Sequence, residues 1–378
     1  MKLKILYFLN AYEEDGPGLL MCQIASLLAP REGMEIYTAA LSRGGSLEER
    51  LKEKHIPTRV IGMKGVLDRS GYQALKSYLK DMSFDIVHTN ILRADLFGRM
   101  AAHAVGVPVI ISTEHGLHAW EHRGNLVRKI VKWLYLRTVS YNSAIVAVSD
   151  AVKESLVSEG IPPGKIHRIY NGVDVNAFAP LPGLERDKMR RYITDDKVCC
   201  TIGLVGNLVE LKGLRYFIEA LPPVFEKYPE TLVVVVGEGP LRGEMENEVA
   251  KEPFSGRVKF LGKLSQITGR IMAALDVLVQ PSLTESFGLT AAEALSCEVP
   301  VVASNVGGLT ELIEDGVCGY LVPPRDSRAL AGKIIELLDD PDKRRTFGRA
   351  GRERIMNLFQ LSSTVDQYLE LYKRLLPT

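Results

Sequence analysis

Cysteine is scarce in this chain: Cys22, Cys199, Cys200, Cys297 and Cys318 are scattered through 378 residues with no C-x-x-C pair among them. Neither a disulfide framework nor a zinc cluster is implied, and the five are expected to be reduced, packed thiols. Long apolar runs are missing too, none approaching the roughly 18 residues needed to span a bilayer. The opening Met1-Lys-Leu-Lys-Ile-Leu-Tyr-Phe-Leu9 has a basic start, but its apolar run is short and lacks a small-residue cleavage site. It reads as a first buried strand rather than a signal peptide, and the protein is expected in the cytoplasm. Excess charge is absent: 22 basic and 18 acidic residues through Pro180, and 25 and 28 after it, leave +4 and −3 on the two halves. That asymmetry is too small to argue for nucleic-acid binding. Neither low-complexity tracts nor repeats of solenoid length occur.

What the chain does have is globular composition, 46% hydrophobic and 25% charged, and a length that suits two α/β domains of roughly 180 residues each. Val- and Ile-rich runs alternate with helical stretches, the pattern of parallel sheets covered on both faces. Strands are expected at Leu3-Leu9, Glu35-Leu41, Arg59-Ile61, Asp85-His88, Val109-Thr113, Ala144-Val148 and Ile166-Ile169, then at Cys200-Val205, Leu232-Val236, Val258-Leu261, Val277-Gln280 and Val301-Ser304. Between the two series lies Asn171-Gly-Val-Asp174-Val-Asn-Ala-Phe178-Ala-Pro-Leu-Pro-Gly183, whose Gly and Pro density marks a turn and linker. Two doubly wound domains bind ligands at the carboxyl ends of their strands, and a cleft between them is the expected active site.

The most informative stretch is Pro281-Ser-Leu-Thr-Glu285-Ser-Phe-Gly-Leu-Thr-Ala-Ala-Glu293-Ala, with two carboxylates around a strand-to-helix turn. A helix over Leu289-Leu295 would turn the N–H groups of Ser286 to Leu289 toward a ligand at its positive end, where a diphosphate sits well. Glu293, one turn in, can accept hydrogen bonds from a ribose diol, and Glu285 is placed to meet a sugar beyond the phosphates. Alone, the spacing fits better a capped helix with a solvated Glu at each end, and only the surrounding motifs reverse that.

Two further motifs follow: Asn305-Val-Gly307-Gly308-Leu-Thr-Glu311-Leu-Ile, and Asp315-Gly-Val-Cys-Gly319-Tyr-Leu-Val-Pro323-Pro324. Together these residues resemble the retaining glycosyltransferases of GT-B fold, family 4, which carry E-S/G-F-G-x-x-x-x-E-A, then G-G-x-x-E-x-I, then D-G-x-x-G-x-L-V-P-P. Matching elements run from about Ile5 to Pro324, and the linker is similar to the family's N-G-V-D-x-x-x-F. The resemblance implies two Rossmann-like domains facing across a cleft. The first, residues 1–180 with a helix at 365–378 crossing back, would be on the acceptor side, and the second, 181–364, would bind the nucleotide-sugar.

The resemblance also implies site residues. Glu285, His115 and Lys212 would be catalytic: Glu285 on donor-sugar hydroxyls, Lys212 on the leaving diphosphate, and His115, in a T-x-H-G-like Thr113-Glu-His115-Gly116, toward the donor sugar. Donor contacts would come from Glu293, the turn Ser286, Phe287, Gly288, Leu289 and Thr290, the pair Gly206 and Asn207, and Gly262 and Leu264 near the base. Gly16 and Gly18 stand where the family has a G-G-x-E turn, but no acidic residue clearly follows them. Family members usually have arginine at the position of Asn207, forming a two-cation clamp with the lysine; Asn cannot supply that charge, and Arg242 is the nearest candidate to make up for it.

Rival readings of single features stay beside these. His115, His118 and His122 share helical spacing that suits a metal, although Gly116 interrupts it. Asp340-Pro341-Asp342 matches a D-x-D metal motif formally, but Pro after an Asp cap explains it. Metal independence is implied by the resemblance, and no cofactor is expected. Val127-Arg-Lys-Ile-Val-Lys132-Trp133-Leu-Tyr-Leu-Arg137 is either a core helix with snorkelling lysines or a peripheral contact with an anionic membrane. The expected activity is therefore hexosyl transfer from a nucleoside diphosphate sugar, UDP favoured, to an acceptor hydroxyl with retention, in glycan, glycolipid or small-molecule glycoside synthesis. A non-catalytic GT-B-fold protein binding a nucleotide or partner, and a sugar-nucleotide epimerase of related fold, are the alternatives.

Overall fold

The computed structural model describes residues 2–116, 125–193, 198–264 and 268–376. They form two compact units, Met1–Gly172 with Leu361–Thr378, and Val173–Gln360. The division falls at the first glycine of the linker, ahead of its proline-rich end, for a steric reason. A Cβ on Gly172 would stand 2.4 Å from Leu361 Cα, so the two passages of the chain approach this closely only because residue 172 is glycine.

The first unit holds seven parallel strands, β1 (Leu3–Leu9), β2 (Met34–Ala40), β3 (Thr58–Val60), β4 (Ile86–Asn90), β5 (Val109–Glu114), β6 (Ala144–Ala147) and β7 (Ile166–Arg168). Their order is β3-β2-β1-β4-β5-β6-β7. Alternate residues of one strand serve opposite faces of the sheet. Ile5, Tyr7 and Ile111 pack with residues of the helices Gly16–Leu28 and Leu361–Leu375, while Leu6, Phe8 and Ile110 pack with residues of Arg69–Met82 and Leu92–Val105. With both faces covered, the strands read as continuous apolar runs, which is why they are legible in the sequence.

The second unit holds β8 (Thr201–Val205), β9 (Leu232–Val236), β10 (Val258–Gly262), β11 (Val277–Gln280), β12 (Val301–Ser304) and β13 (Gly319–Val322), all parallel, in the order β10-β9-β8-β11-β12-β13. The last strand was not among those expected. Its Tyr-Leu-Val core is bracketed by Gly319 and Pro323, residues that mark turns rather than strands. In each sheet the chain starts mid-sheet and winds outward both ways, so a switch point lies between β1 and β4 and another between β8 and β11. Asp340 caps the helix Pro341–Leu358 through Lys343 N–H at 2.9 Å, which accounts for the formal D-x-D. Four cysteines are buried as expected, but Cys199 is exposed, one residue ahead of the strand that buries Cys200.

The returning helix Leu361–Leu375 is tied into the first unit by buried polar groups as well as by apolar packing. His88 on β4 meets the Tyr372 hydroxyl through Nδ1 at 2.6 Å and Thr113 Oγ1 through Nε2 at 2.7 Å. The hydroxyls of Tyr7 and Tyr372 lie 2.6 Å apart, and that of Tyr368 lies 3.1 Å from Thr113 Oγ1. Burial, with a smaller like-charge contribution from His115, holds the His88 imidazole down at about 3. Unfolded, the same group takes a proton near 6.5. Between those values the unfolded chain binds more protons, so this group makes stability fall as pH drops from about 6.5 toward about 3. Urea denaturation of a His88→Gln variant should show a shallower decline over that window; an unchanged slope would contradict the assignment.

Candidate functional site

The second sheet's switch point is where the candidate residues gather. Leaving β8, the chain passes Gly206 and Asn207 and makes a short 3-10 turn at Glu210–Lys212 that ends on Gly213. Gly213 has φ +66°, and a Cβ there would sit 1.9 Å from the Pro281 carbonyl oxygen, so only glycine lets this turn press against the exit of β11. Leu283 N–H to Leu211 carbonyl, 2.8 Å, joins the two loops. Lys212 Nζ then meets Glu285 Oε2 at 2.6 Å. The same oxygen accepts from Gln280 Nε2 at 2.7 Å and Ser282 Oγ at 3.3 Å. Neither Gln280 nor Ser282 was singled out in the sequence. The available signal was a polar residue closing the buried run Val277-Leu-Val-Gln280 at a carboxyl edge.

Glu285 leads into the helix Leu289–Ser296, whose N-cap is Gly288 at φ 98°, with no side chain capping it. The Gly307-Gly308 turn braces this entry. Gly308 N–H donates to the Glu285 carbonyl at 3.0 Å, and a Cβ on Gly308 would stand 2.4 Å from the Ser286 oxygen and 2.6 Å from Phe287 Cα. Phe287 is buried edge-on against Phe359, with ring centroids 5.6 Å apart, so its side chain anchors the turn and only its backbone can face a ligand. Glu293 remains partly open to solvent but is enclosed closely enough that burial lifts its carboxyl to about 8.

Beside this lie the exits of β8, β9 and β10. Asn207 is exposed. Gly206 N–H donates to Val236 at 2.9 Å, Leu208 N–H to Glu238 at 2.9 Å and Gly237 N–H to Gly262 at 2.9 Å, so the three exits form one bonded edge. Leu264 is half-buried, its carbonyl accepting from Thr268 Oγ1 at 2.6 Å. The cation considered as a substitute at Asn207 is engaged elsewhere. Arg242 Nε donates to Glu246 at 2.8 Å, and its guanidinium also grips Glu238.

His115 belongs to the first unit, just past the carboxyl end of β5. Its Nε2 lies 3.1 Å from Asn90 Oδ1 at the end of β4, and burial lowers the imidazole to about 4. The His88 network reaches Thr113 from one face of the sheet. From the other, fully buried Arg99 donates through Nε to Ser112 Oγ at 2.7 Å and through Nη2 to Glu114 Oε1 at 2.9 Å. Tyr135 donates to the same Glu114 oxygen at 2.5 Å, and Thr89 Oγ1 donates to Asp95 Oδ1 at 2.6 Å. Burial pushes the Asp95 carboxyl up to about 7 despite Arg99 beside it. The residues next to Asn90 and His115 are thus held from both faces, by groups that no local motif announced.

Gly16 and Gly18 differ from the expected open turn. Both lie in the helix Gly16–Leu28, and Gly18 N–H is taken by the N-cap Asp15 at 2.7 Å. A ligand would have to displace Asp15 to use that donor, and only Gly16 is exposed. His118 and His122, the other members of the proposed metal spacing, lie outside the described residues.

Comparison with known proteins gives the family and the fold. The model for "Glycosyl transferases group 1" matches residues 188–354 and that for "Glycosyltransferase Family 4" matches residues 19–177, between them most of the chain. The chain belongs to glycosyltransferase family 4. This family-4 chain is 28% identical over 352 residues to the UDP-Gal:alpha-D-GlcNAc-diphosphoundecaprenol alpha-1,3-galactosyltransferase of Escherichia coli, covering 91% of this chain and 90% of that one. It is 26% identical to the alpha-D-kanosaminyltransferase of Streptomyces kanamyceticus, over 75% of this chain and 74% of that one. Anabaena Alr3699/HepE, whose crystal structure is a complex with UDP-glucose, has the same fold, with a TM-score of 0.86 at 24% identity over 98% of this chain and 100% of that chain. The transferase is thus a two-domain α/β protein of GT-B fold.

The bracing turn is open to direct test. Gly308→Ala in this transferase should displace the Ser286–Gly288 turn and weaken nucleoside diphosphate binding at least about tenfold in calorimetry, with the protein still folded by circular dichroism. Unchanged affinity would show that the turn is not part of the site.

Proposed function

We propose that this transferase moves a glycosyl group from a nucleoside diphosphate sugar, a UDP-sugar, to an acceptor hydroxyl, with retention at the anomeric carbon and without a metal ion. The observation that carries the reading is the Lys212–Glu285 contact at the β8/β11 switch point, beside a helix N-terminus with no side-chain cap. Ligands of such sheets bind at switch points, and anions bind at helix N-termini. The family resemblance supports retention, and the UDP-Gal in the name of the E. coli relative and the UDP-glucose bound in the Anabaena structure support UDP.

In this reading the diphosphate lies against the backbone of Ser286 to Thr290 and draws Lys212 toward itself, with Gly206, Asn207, Gly262 and Leu264 along the nucleotide. Glu285, still held by Gln280 and Ser282, turns its carboxylate to donor-sugar hydroxyls, and Glu293 takes the ribose diol. His115, neutral at physiological pH because of its burial, can hydrogen-bond the sugar without adding charge. As the bond from the anomeric carbon to the phosphate oxygen breaks, negative charge grows on the diphosphate, and Lys212 and the helix N-terminus stabilise it more than they stabilise the ground state. The acceptor oxygen bonds to the same carbon, and its proton passes to the departing phosphate oxygen. Glu285 and Glu293 are therefore not a hydrolase-like acid and base pair.

The acceptor hydroxyl, we infer, is carried by a lipid-linked sugar reached through peripheral contact with an anionic membrane. The lipid-linked acceptor named for the E. coli relative supports this, as do the basic and aromatic residues between Asn125 and Val139. One observation favours a second reading, a nucleotide-binding protein without transfer: Asn207 lacks the family's charge, and Arg242 is already paired.

Mass-spectrometric assay of UDP release and product formation separates these readings. Lys212→Ala and Glu285→Gln should each lower turnover roughly a hundredfold or more while the protein stays folded; transfer at wild-type rates in both variants would sink the proposal. Donor affinity should also depend on pH through Glu293. A diol donates to the carboxylate form, yet the empty site keeps Glu293 protonated below about 8. Donor binding should therefore strengthen as pH rises toward about 8, with proton release. In Glu293→Gln that dependence should vanish, and its persistence would place the ribose elsewhere.

A further inference from the structure

The helix Asn125–Val139 has an inner face that is accounted for and an outer face that is not. Inward, Tyr135, Thr138 and Val139 are buried, and Arg99 lies 4.7 Å from the centre of the Tyr135 ring. Outward, Leu126 is 72% exposed, Ile130 50% and Trp133 63%, a spacing that puts all three on one stripe of an α-helix. Lys129 and Arg137 are exposed on the same stripe. The helix carries four basic residues, Arg128, Lys129, Lys132 and Arg137, and no acidic one. Lys132 is paired with Glu159, but among the described residues neither Lys129 nor Arg137 is paired. Large apolar groups set among unpaired cations are an unfavourable surface for water and a favourable one for a lipid headgroup layer. There tryptophan occupies the interface, and lysine and arginine meet anionic headgroups.

The neighbouring surface continues the pattern. The helix Leu92–Val105 packs against both Asn125–Val139 and Arg69–Met82, so the three lie side by side on one face of the first sheet. Beyond it Leu67 is 90% exposed, and with Met63, Val66, Tyr72, Phe97 and Met100 it lines a groove of about 390 Å³. Helices of a parallel sheet begin at the edge where its strands end. Leu126, early in its helix, and Leu67, just ahead of Arg69–Met82, therefore both lie toward the edge from which Asn90 and His115 project.

We infer that the outer stripe of Asn125–Val139, with Leu126, Ile130 and Trp133 as its apolar anchors and Lys129 and Arg137 as its cations, docks on an anionic lipid bilayer. The inference gives a surface to the lipid-borne acceptor proposed above and rests on that reading for its purpose. Docked this way, the protein holds the His115 edge of the first unit at the headgroup layer, where the sugar of a lipid-linked acceptor lies.

Vesicle flotation with the full chain tests it, using phosphatidylcholine alone and phosphatidylcholine with roughly one-third phosphatidylglycerol. The wild type should float with the anionic vesicles only and be released by salt. Ile130→Ser with Trp133→Ser, and separately Lys129→Glu with Arg137→Glu, should each lower the bound fraction about tenfold or more. Lys251→Glu, an exposed change in the second unit, should leave binding as it was. Both double variants should keep the thermal shift given by UDP and transfer to a water-soluble acceptor analogue, which shows that they fold. Equal binding to both vesicle types, binding to neither, or wild-type binding by the variants would overturn the inference. So would a Trp133-dependent self-association, or capture of a protein, in place of vesicle binding. Vesicle binding without any transfer would remove the transfer reading and leave the docking surface; transfer without vesicle binding would do the reverse.

Discussion

Lys212 and Glu285 meet where β8 and β11 send the chain in opposite directions, and the rest of the second unit's edge is arranged around that contact. It requires Gly213 in a left-handed conformation against the Pro281 carbonyl, and it fixes where the following turn enters its helix. The Lys212 and Glu285 side chains are 31% and 13% exposed, so desolvation offsets much of the pair's attraction. Its value is positional. The two charges neutralise each other, and Gln280 and Ser282 hold the Glu285 carboxylate independently of the lysine.

The first unit uses a costlier device. Arg99, Asp95 and Glu114 are buried charged groups whose desolvation offsets much of their mutual attraction. Replacing them with apolar side chains would not lose the core, but it would lose the directions they impose. Thr89 and His88 precede Asn90, and Thr113 and Glu114 precede His115; each of the four is bonded to a network on its own face of the sheet. The Asn90–His115 contact is thereby held from both sides, and Tyr135 ties one of those networks to the helix Asn125–Val139.

The inner strands were legible in the sequence because parallel strands buried on both faces are continuous apolar runs, and β13 was not because a glycine and two prolines bracket its apolar core. The Glu285 to Glu293 segment was legible because its glycine and its acidic residues are local. Asn90 was not, because its partner His115 comes from another strand end that only the folded sheet brings near; Gln280 and Ser282 lie within five residues of Glu285, but residue types alone do not show that their side chains converge on one of its oxygens. The engagement of Arg242 by Glu238 and Glu246, and of Gly18 by Asp15, escaped notice for a related reason: motif spacing shows which groups are present and not which are already bonded. The basic aromatic stretch allowed a core helix or a surface one. The structure divides it, with Tyr135 inward and Trp133 outward.

A crystal structure with bound UDP tests whether a nucleoside diphosphate binds at the β8/β11 switch point. The diphosphate should lie at the N-terminus of Leu289–Ser296, with Lys212 turned from Glu285 to a phosphate oxygen, Glu285 still on Gln280 and Ser282, and the ribose at Glu293. A diphosphate seated away from that helix, with Lys212 still on Glu285, would contradict this placement.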